Sequence, residues 1–112
     1  MKKHLYILWT NADKVTSENM VMMYARNSML KGWWDRVTVI VWGATQLLIC
    51  NDDDIQSAVL DAQEAGVFFS ACIACANKLG TAKKLMEMGI EVISWGEKLT
   101  NLIQSDEKVL SI

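Results

Sequence analysis

Proline is absent from this 112-residue chain, which removes the usual punctuation of a domain boundary and any cis-proline turn. Histidine occurs once, at position 4, so a zinc site built from this chain has almost no nitrogen ligands to draw on. Long apolar runs are missing too. The stretch Leu5 to Trp9 that follows the N-terminal lysines is too short for a signal-peptide core or a membrane span. Neither sign of charge dominates: 11 basic and 13 acidic residues leave a net charge of −2, with no basic face for nucleic acid. The expectation is one cytoplasmic domain spanning residues 1–112, with no membrane and no nucleic-acid partner.

Hydrophobic residues make up 52% of the chain and charged residues 21%, enough to bury a core without disulfide or metal staples. In a reducing compartment, cysteines 50, 72 and 75 are therefore free, catalytic or metal-bound rather than a structural framework. Five short runs rich in β-branched and aromatic residues read as strands: HLYILWT (4–10), RVTVIVW (36–42), VFFSA (67–71), EVISW (91–95) and KVLSI (108–112). Helical patterns fill every gap. Thr16 or Ser17 is expected to cap a helix running to about Leu30, and Asn51 to Asp54 supply the acidic start of one that buries Ile55, Val59 and Ala62. Thr81 is expected to cap a third, and residues 97–104 form a fourth. Alternating strands and helices imply parallel pairing through right-handed crossovers. The predicted fold is a three-layer α/β sandwich, a five-stranded parallel sheet with helices on both faces.

Ligands and chemistry in such sheets collect outside the carboxyl ends of the strands. The predicted exits are Trp9-Thr10-Asn11, Trp42-Gly43-Ala44-Thr45, Cys72 and Trp95-Gly96. Three of the five tryptophans thus fall on one rim, which suggests a pocket lined by Trp9, Asn11, Trp42, Gly43, Ala44, Thr45, Trp95 and Gly96. Indole would exclude water there and glycine would allow close backbone approach.

"ACIACANKLG" (71–80) places Cys72 and Cys75 three apart where the third strand hands over to a helix. That position favours thiolate, the form that attacks sulfur or metal. Lys78, Lys83 and Lys84 follow, and their distance from the thiols is not readable from spacing. An intramolecular zinc site is not expected: the fold puts His4 and Cys72 at opposite ends of the sheet, ~17 Å apart for five residues of strand. No metal and no cofactor are predicted. A reversible dithiol stays open; the motif's place after the third strand and the lack of the cis-proline that faces the dithiol in the thioredoxin fold weigh against that fold. Cys50, in the apolar run QLLIC, reads as structural; Asp52 to Asp54 read as helix caps, and Met20, Met22 and Met23 as adaptable packing.

Several segments together resemble the DsrE-like family of sulfur relay proteins, which includes the TusD-type carriers. They are the Trp-Gly-Ala-Thr exit of strand two, Leu47-Leu48 with the acidic helix start, "EAGVFFSACIACANKLG", and Gly-Ile-Glu-Val before the short terminal strand. The family's sulfur-binding cysteine leaves strand three and is followed eight residues later by glycine, a spacing matched by Cys72 and Gly80. The resemblance implies a persulfide carrier: Cys72 takes sulfane sulfur from a donor protein and passes it to a cysteine of an acceptor protein. It also implies a homo-oligomer, a trimer or hexamer. Cys75, absent from single-cysteine carriers, would either resolve the Cys72 persulfide as a disulfide or act as filler. The other readings are a thiol-disulfide redox protein using Cys72 and Cys75, and an oligomeric module whose pocket binds a small ligand without chemistry.

Overall fold

β-branched and aromatic side chains, which suit a pleated and half-buried surface, set five strands: β1 (His4–Trp9), β2 (Arg36–Val41), β3 (Phe68–Cys72), β4 (Glu91–Ile93) and β5 (Lys108–Ser111). In the computed structural model, which describes residues 3–112, they form one parallel sheet of order β4-β3-β2-β1-β5. All five expected strands are present, with ends moved by one or two residues.

Between them lie α1 (Lys14–Thr16), α2 (Met23–Leu30), α3 (Ala44–Asn51), α4 (Asp53–Glu64), α5 (Ile73–Leu79), α6 (Ala82–Glu87) and α7 (Gly96–Gln104). A π-helical stretch, Ser17–Met22, joins α1 to α2 in one continuous helix. The strand order decides where these helices go. Steps from β1 to β2 to β3 to β4 all run the same way across the sheet, so right-handed crossovers stack α1 to α6 on one face. The last connection returns from one edge, β4, to the other, β5, and the same handedness sends α7 alone to the opposite face. The predicted three-layer α/β sandwich is therefore present, with one thick helical layer and one thin.

Side-chain alternation along the strands builds a core on each face. Under the thick layer, Leu5, Ile7, Trp9, Val37, Val39, Val41, Phe69 and Ala71 pack against Val21, Ala25, Ile49, Ile55, Val59 and Leu85. Under α7, a smaller cluster gathers Ile40, Cys72 and Trp95, with Tyr6, Leu8, Trp42, Cys75, Ile93, Leu99 and Leu102 against it. Among the described residues, no helix is long and apolar enough to cross a membrane.

α4 forms as expected. The Asp52 carboxylate accepts from Ile55 N–H at 3.0 Å, and Ile55, Val59 and Ala62 are buried. Two expected caps are corrected. The first helix begins at Lys14, because Asp13 caps it by accepting from Thr16 N–H at 2.9 Å; neither Thr16 nor Ser17 is the cap. Ser17 is instead buried and accepts a hydrogen bond from Trp9 Nε1 at 3.1 Å. Thr81 makes no side-chain cap on α6, because its hydroxyl is committed to Gln46. Of the three methionines, Met22 is buried while Met20 and Met23 are exposed.

Candidate functional site

Cys72 is the last residue of β3 and stands immediately before α5, on whose first turn Cys75 lies. Both are free thiols, as is Cys50. Cys72 is only 4% exposed and packs with Ile40 and Trp95, whereas Cys75 is half-buried. The two thiols are neighbours, and the Gly43 N–H lies near the Cys75 sulfur. Burial, first, and then the Cys72 neighbour push the Cys75 thiol up from its ordinary value, while the Gly43 N–H acts in the opposite sense. Cys75 is consequently a neutral thiol near pH 7, able to donate its proton in a hydrogen bond to sulfur.

Gly43 owes its place to backbone conformation. It opens α3 with φ 72°, in the left-handed region, and a Cβ built there would meet nothing within 4 Å; a substitution is disfavoured by the dihedral rather than by crowding. The space beyond it is a pocket of about 320 Å³ lined by Gly43, Ala44, Leu47, Cys75, Lys78 and Leu79. α3 and α5 supply its two walls.

One buried amide holds this arrangement. Gln46, fully buried on α3, donates through Nε2 to Val41 O at 3.2 Å and to Cys72 O at 3.0 Å. Its Oε1 accepts from Thr81 Oγ1 at 2.7 Å, just past the C-terminus of α5. The ends of β2 and β3 and the far end of α5 are thus tied to a single side chain.

The single pocket expected from the strand exits divides. Gly43 and Ala44 line the pocket beside Cys75. Trp42 is half-buried against the Ile40, Cys72 and Trp95 cluster. Trp95, 6% exposed, lines a separate depression of about 230 Å³ with Tyr6, Lys98, Asn101 and Leu102. Its indole Nε1 donates to Ser70 Oγ at 2.7 Å, and Ser70 donates on to Glu91 Oε1 at 2.8 Å. Gly96 is exposed and begins α7. Trp9 and Thr45 are corrected, while Asn11 is exposed just past the end of β1. Trp9 is fully buried in the core of the opposite face. The Asn11 carbonyl accepts from Trp9 Nε1 and from Ser17 Oγ, each at 3.1 Å. Thr45 is fully buried, its hydroxyl 3.0 Å from Trp9 O and 3.2 Å from Trp42 O.

Cys50 lies on the last turn of α3, packs against the larger core, and has its thiol pushed up by burial, with Lys84 acting in the opposite sense. Leu47, three residues earlier on the same helix, is 39% exposed and lines the pocket. His4 lies at the amino end of β1, where Nε2 is 2.8 Å from Thr38 Oγ1. Among the described residues, no group of three or more His, Cys, Asp or Glu side chains is arranged to hold a metal ion. Sequence reasoning missed Gln46, Leu47 and Leu79 as site residues. Only Gln46 carried a signal, as an amide inside the apolar run ATQLLIC.

Fold and site define an α/β protein with a pair of free, adjacent thiols at the carboxyl edge of a parallel sheet. A solved structure of a conserved protein of unknown function from Bacteroides thetaiotaomicron is 39% identical over 98% of this chain and 95% of its own, with a TM-score of 0.95. The chain belongs to the family of that conserved protein. No protein-family model and no curated protein matches it.

Proposed function

We propose that the protein is a sulfur carrier of the DsrE-like kind, taking sulfane sulfur onto Cys72 as a persulfide and handing it to a cysteine of a partner. The observation that supports this reading most is the pairing of a shielded thiol, Cys72, with a neighbouring thiol, Cys75, that burial keeps protonated. In the loading step the Cys72 sulfur attacks the outer sulfur of a donor persulfide. The donor S–S bond breaks, a new S–S bond forms on Cys72, and the Cys72 proton leaves with the donor thiol. No net oxidation occurs, and delivery is the same exchange run toward the acceptor. The Cys75 S–H serves as hydrogen-bond donor to the persulfide, and the low exposure of Cys72 slows, without preventing, attack by bulk thiols on the carried sulfur. A cytoplasmic setting and assembly as a homo-oligomer, a trimer or hexamer, belong to the same proposal.

The adjacency of the two thiols also favours a second reading, a dithiol that cycles through a disulfide. Attack of Cys75 on the inner sulfur of a Cys72 persulfide would form that disulfide and release hydrogen sulfide. Intact mass spectrometry after exposure to inorganic polysulfide separates the two. The carrier reading expects one added sulfur on wild type and on Cys75→Ser, and none at this site in Cys72→Ser. The dithiol reading expects the loss of two hydrogens and no retained sulfur.

A further inference from the structure

The pocket beside Cys75 is built for something larger than a single thiol. Its volume, about 320 Å³, sits at the small end of the range for small-molecule sites, and one inserted cysteine side chain would leave most of it empty. Its walls are apolar: Ala44 and Leu47 from α3 face Leu79 and the methylenes of Lys78 from α5. Lys78 is exposed and contributes only apolar atoms to the wall, as long basic side chains do, which leaves its ammonium in water beside the pocket. A protonated thiol in the lining, carbon-lined walls and a cation beside them specify the three parts of an occupant.

We infer that this pocket binds a low-molecular-weight organic persulfide ending in a carboxylate, the donor for the carrier step. The sulfane sulfur lies against Cys75, whose thiol neighbours that of Cys72, the carbon chain along Leu47 and Leu79, and the carboxylate at Lys78. The inference rests on the carrier reading and adds the class of donor to it. The exchange balances with this molecule alone. R–S–SH and Cys72–SH give R–SH and Cys72–S–SH, one S–S bond breaking as one forms and the proton of Cys72 passing to the departing thiolate. The released R–SH leaves by the way the donor entered.

Two measurements on the full chain test this. In the first, 3-(methylthio)propanoate, whose sulfur cannot be transferred, is titrated while the amide signals of Ala44, Leu47 and Leu79 are followed by NMR. Saturable shifts are expected in wild type and in Cys72→Ser. They should weaken about tenfold in Lys78→Glu and for the uncharged methyl ester, and vanish in Ala44→Trp, which fills the pocket from an exposed position. In the second, loading is timed with the persulfide of 3-mercaptopropanoate and with inorganic polysulfide. Lys78→Glu and Ala44→Trp should slow the organic donor about tenfold and leave the inorganic one nearly unchanged. Absence of saturable shifts, or equal slowing with both donors, overturns the inference while the carrier reading stands. If neither donor adds sulfur, the carrier reading fails, and the titration still decides whether the pocket takes a carboxylate-bearing thioether.

Discussion

On one face of the sheet, Ile7, Val39 and Phe69 lie beneath the helices of three crossovers, every one of them at most 1% exposed. On the other, Ile40, Cys72 and Trp95 are covered chiefly by α7, nine residues and so about 13 Å long. Five strands span ~19 Å and one helix is only about 10–12 Å across, so α7 alone cannot roof its face, and Phe68 at the amino end of β3 is left 41% exposed. The thick face is apolar and closely covered. The thin face carries the cysteine pair, the Trp95, Ser70 and Glu91 hydrogen-bond chain, and Trp42. Stability can reside where packing is redundant, which frees the thinly covered face and its carboxyl rim to hold groups chosen for chemistry.

That division predicts a graded set of responses. Phe69→Ala empties a fully packed site on the thick face and should cost about 3–5 kcal/mol in chemical denaturation, with no change in thiol reactivity beyond that of general unfolding. Gln46→Ala strips partners from Cys72 O, Val41 O and Thr81 Oγ1 at the junction of the two regions. It should cost about 2–3 kcal/mol and also speed alkylation of Cys72 and Cys75 in the native state, since α5 loses its tie. Trp95→Phe keeps most of the apolar bulk but deletes the hydrogen bond to Ser70. A loss of about 1 kcal/mol is expected, accompanied by a change in Cys72 alkylation larger than Phe69→Ala gives. If Phe69→Ala alters thiol reactivity more than Trp95→Phe does, the division between a stabilising face and a chemical face is wrong.

Smaller effects sharpen the picture. In a Cys50→Ser background, the pH of half-maximal Cys75 alkylation should lie above the ordinary cysteine value, because burial favours the neutral thiol, and Cys72→Ala should move it down. A half-point below the ordinary value would mean that the Gly43 N–H outweighs burial. Lys14→Ala removes exposed ion pairs with Asp52, at 3.1 Å, and Asp54, at 2.7 Å, and should change stability by less than about 1 kcal/mol, without effect on either thiol.

Strands and layers were readable in the sequence because β-branched runs and helical spacing are local signals that the tertiary structure here reinforces. The site was readable only in part, and register explains why. Trp9 pairs with Val41, and Val41 with Ala71, so Trp9 shares the face of Ala71, while Cys72 pairs with Ile93 on the other. A strand exit located to within one residue fixes the rim but not the face, and a one-residue difference sends an indole to the opposite core. Trp42 and Trp95 fall on the side of Cys72; Trp9 does not. The caps failed for a related reason. Ser17 and Thr81 have cap chemistry, but long-range partners, Trp9 and Gln46, claim their hydroxyls. The π-helical stretch has no sequence signature at all.

The central claim is that Cys72, sheltered on the thin face beside a protonated Cys75, holds a transferable sulfur. The most direct test is intact mass spectrometry of the reduced protein after incubation with inorganic polysulfide, on wild type, Cys72→Ser and Cys75→Ser, each with Cys50 replaced by serine. One added sulfur on wild type and on Cys75→Ser, missing from Cys72→Ser and removed by a small thiol, is the predicted result. Sulfur retained by Cys72→Ser, or a wild type that only loses two hydrogens, would contradict it.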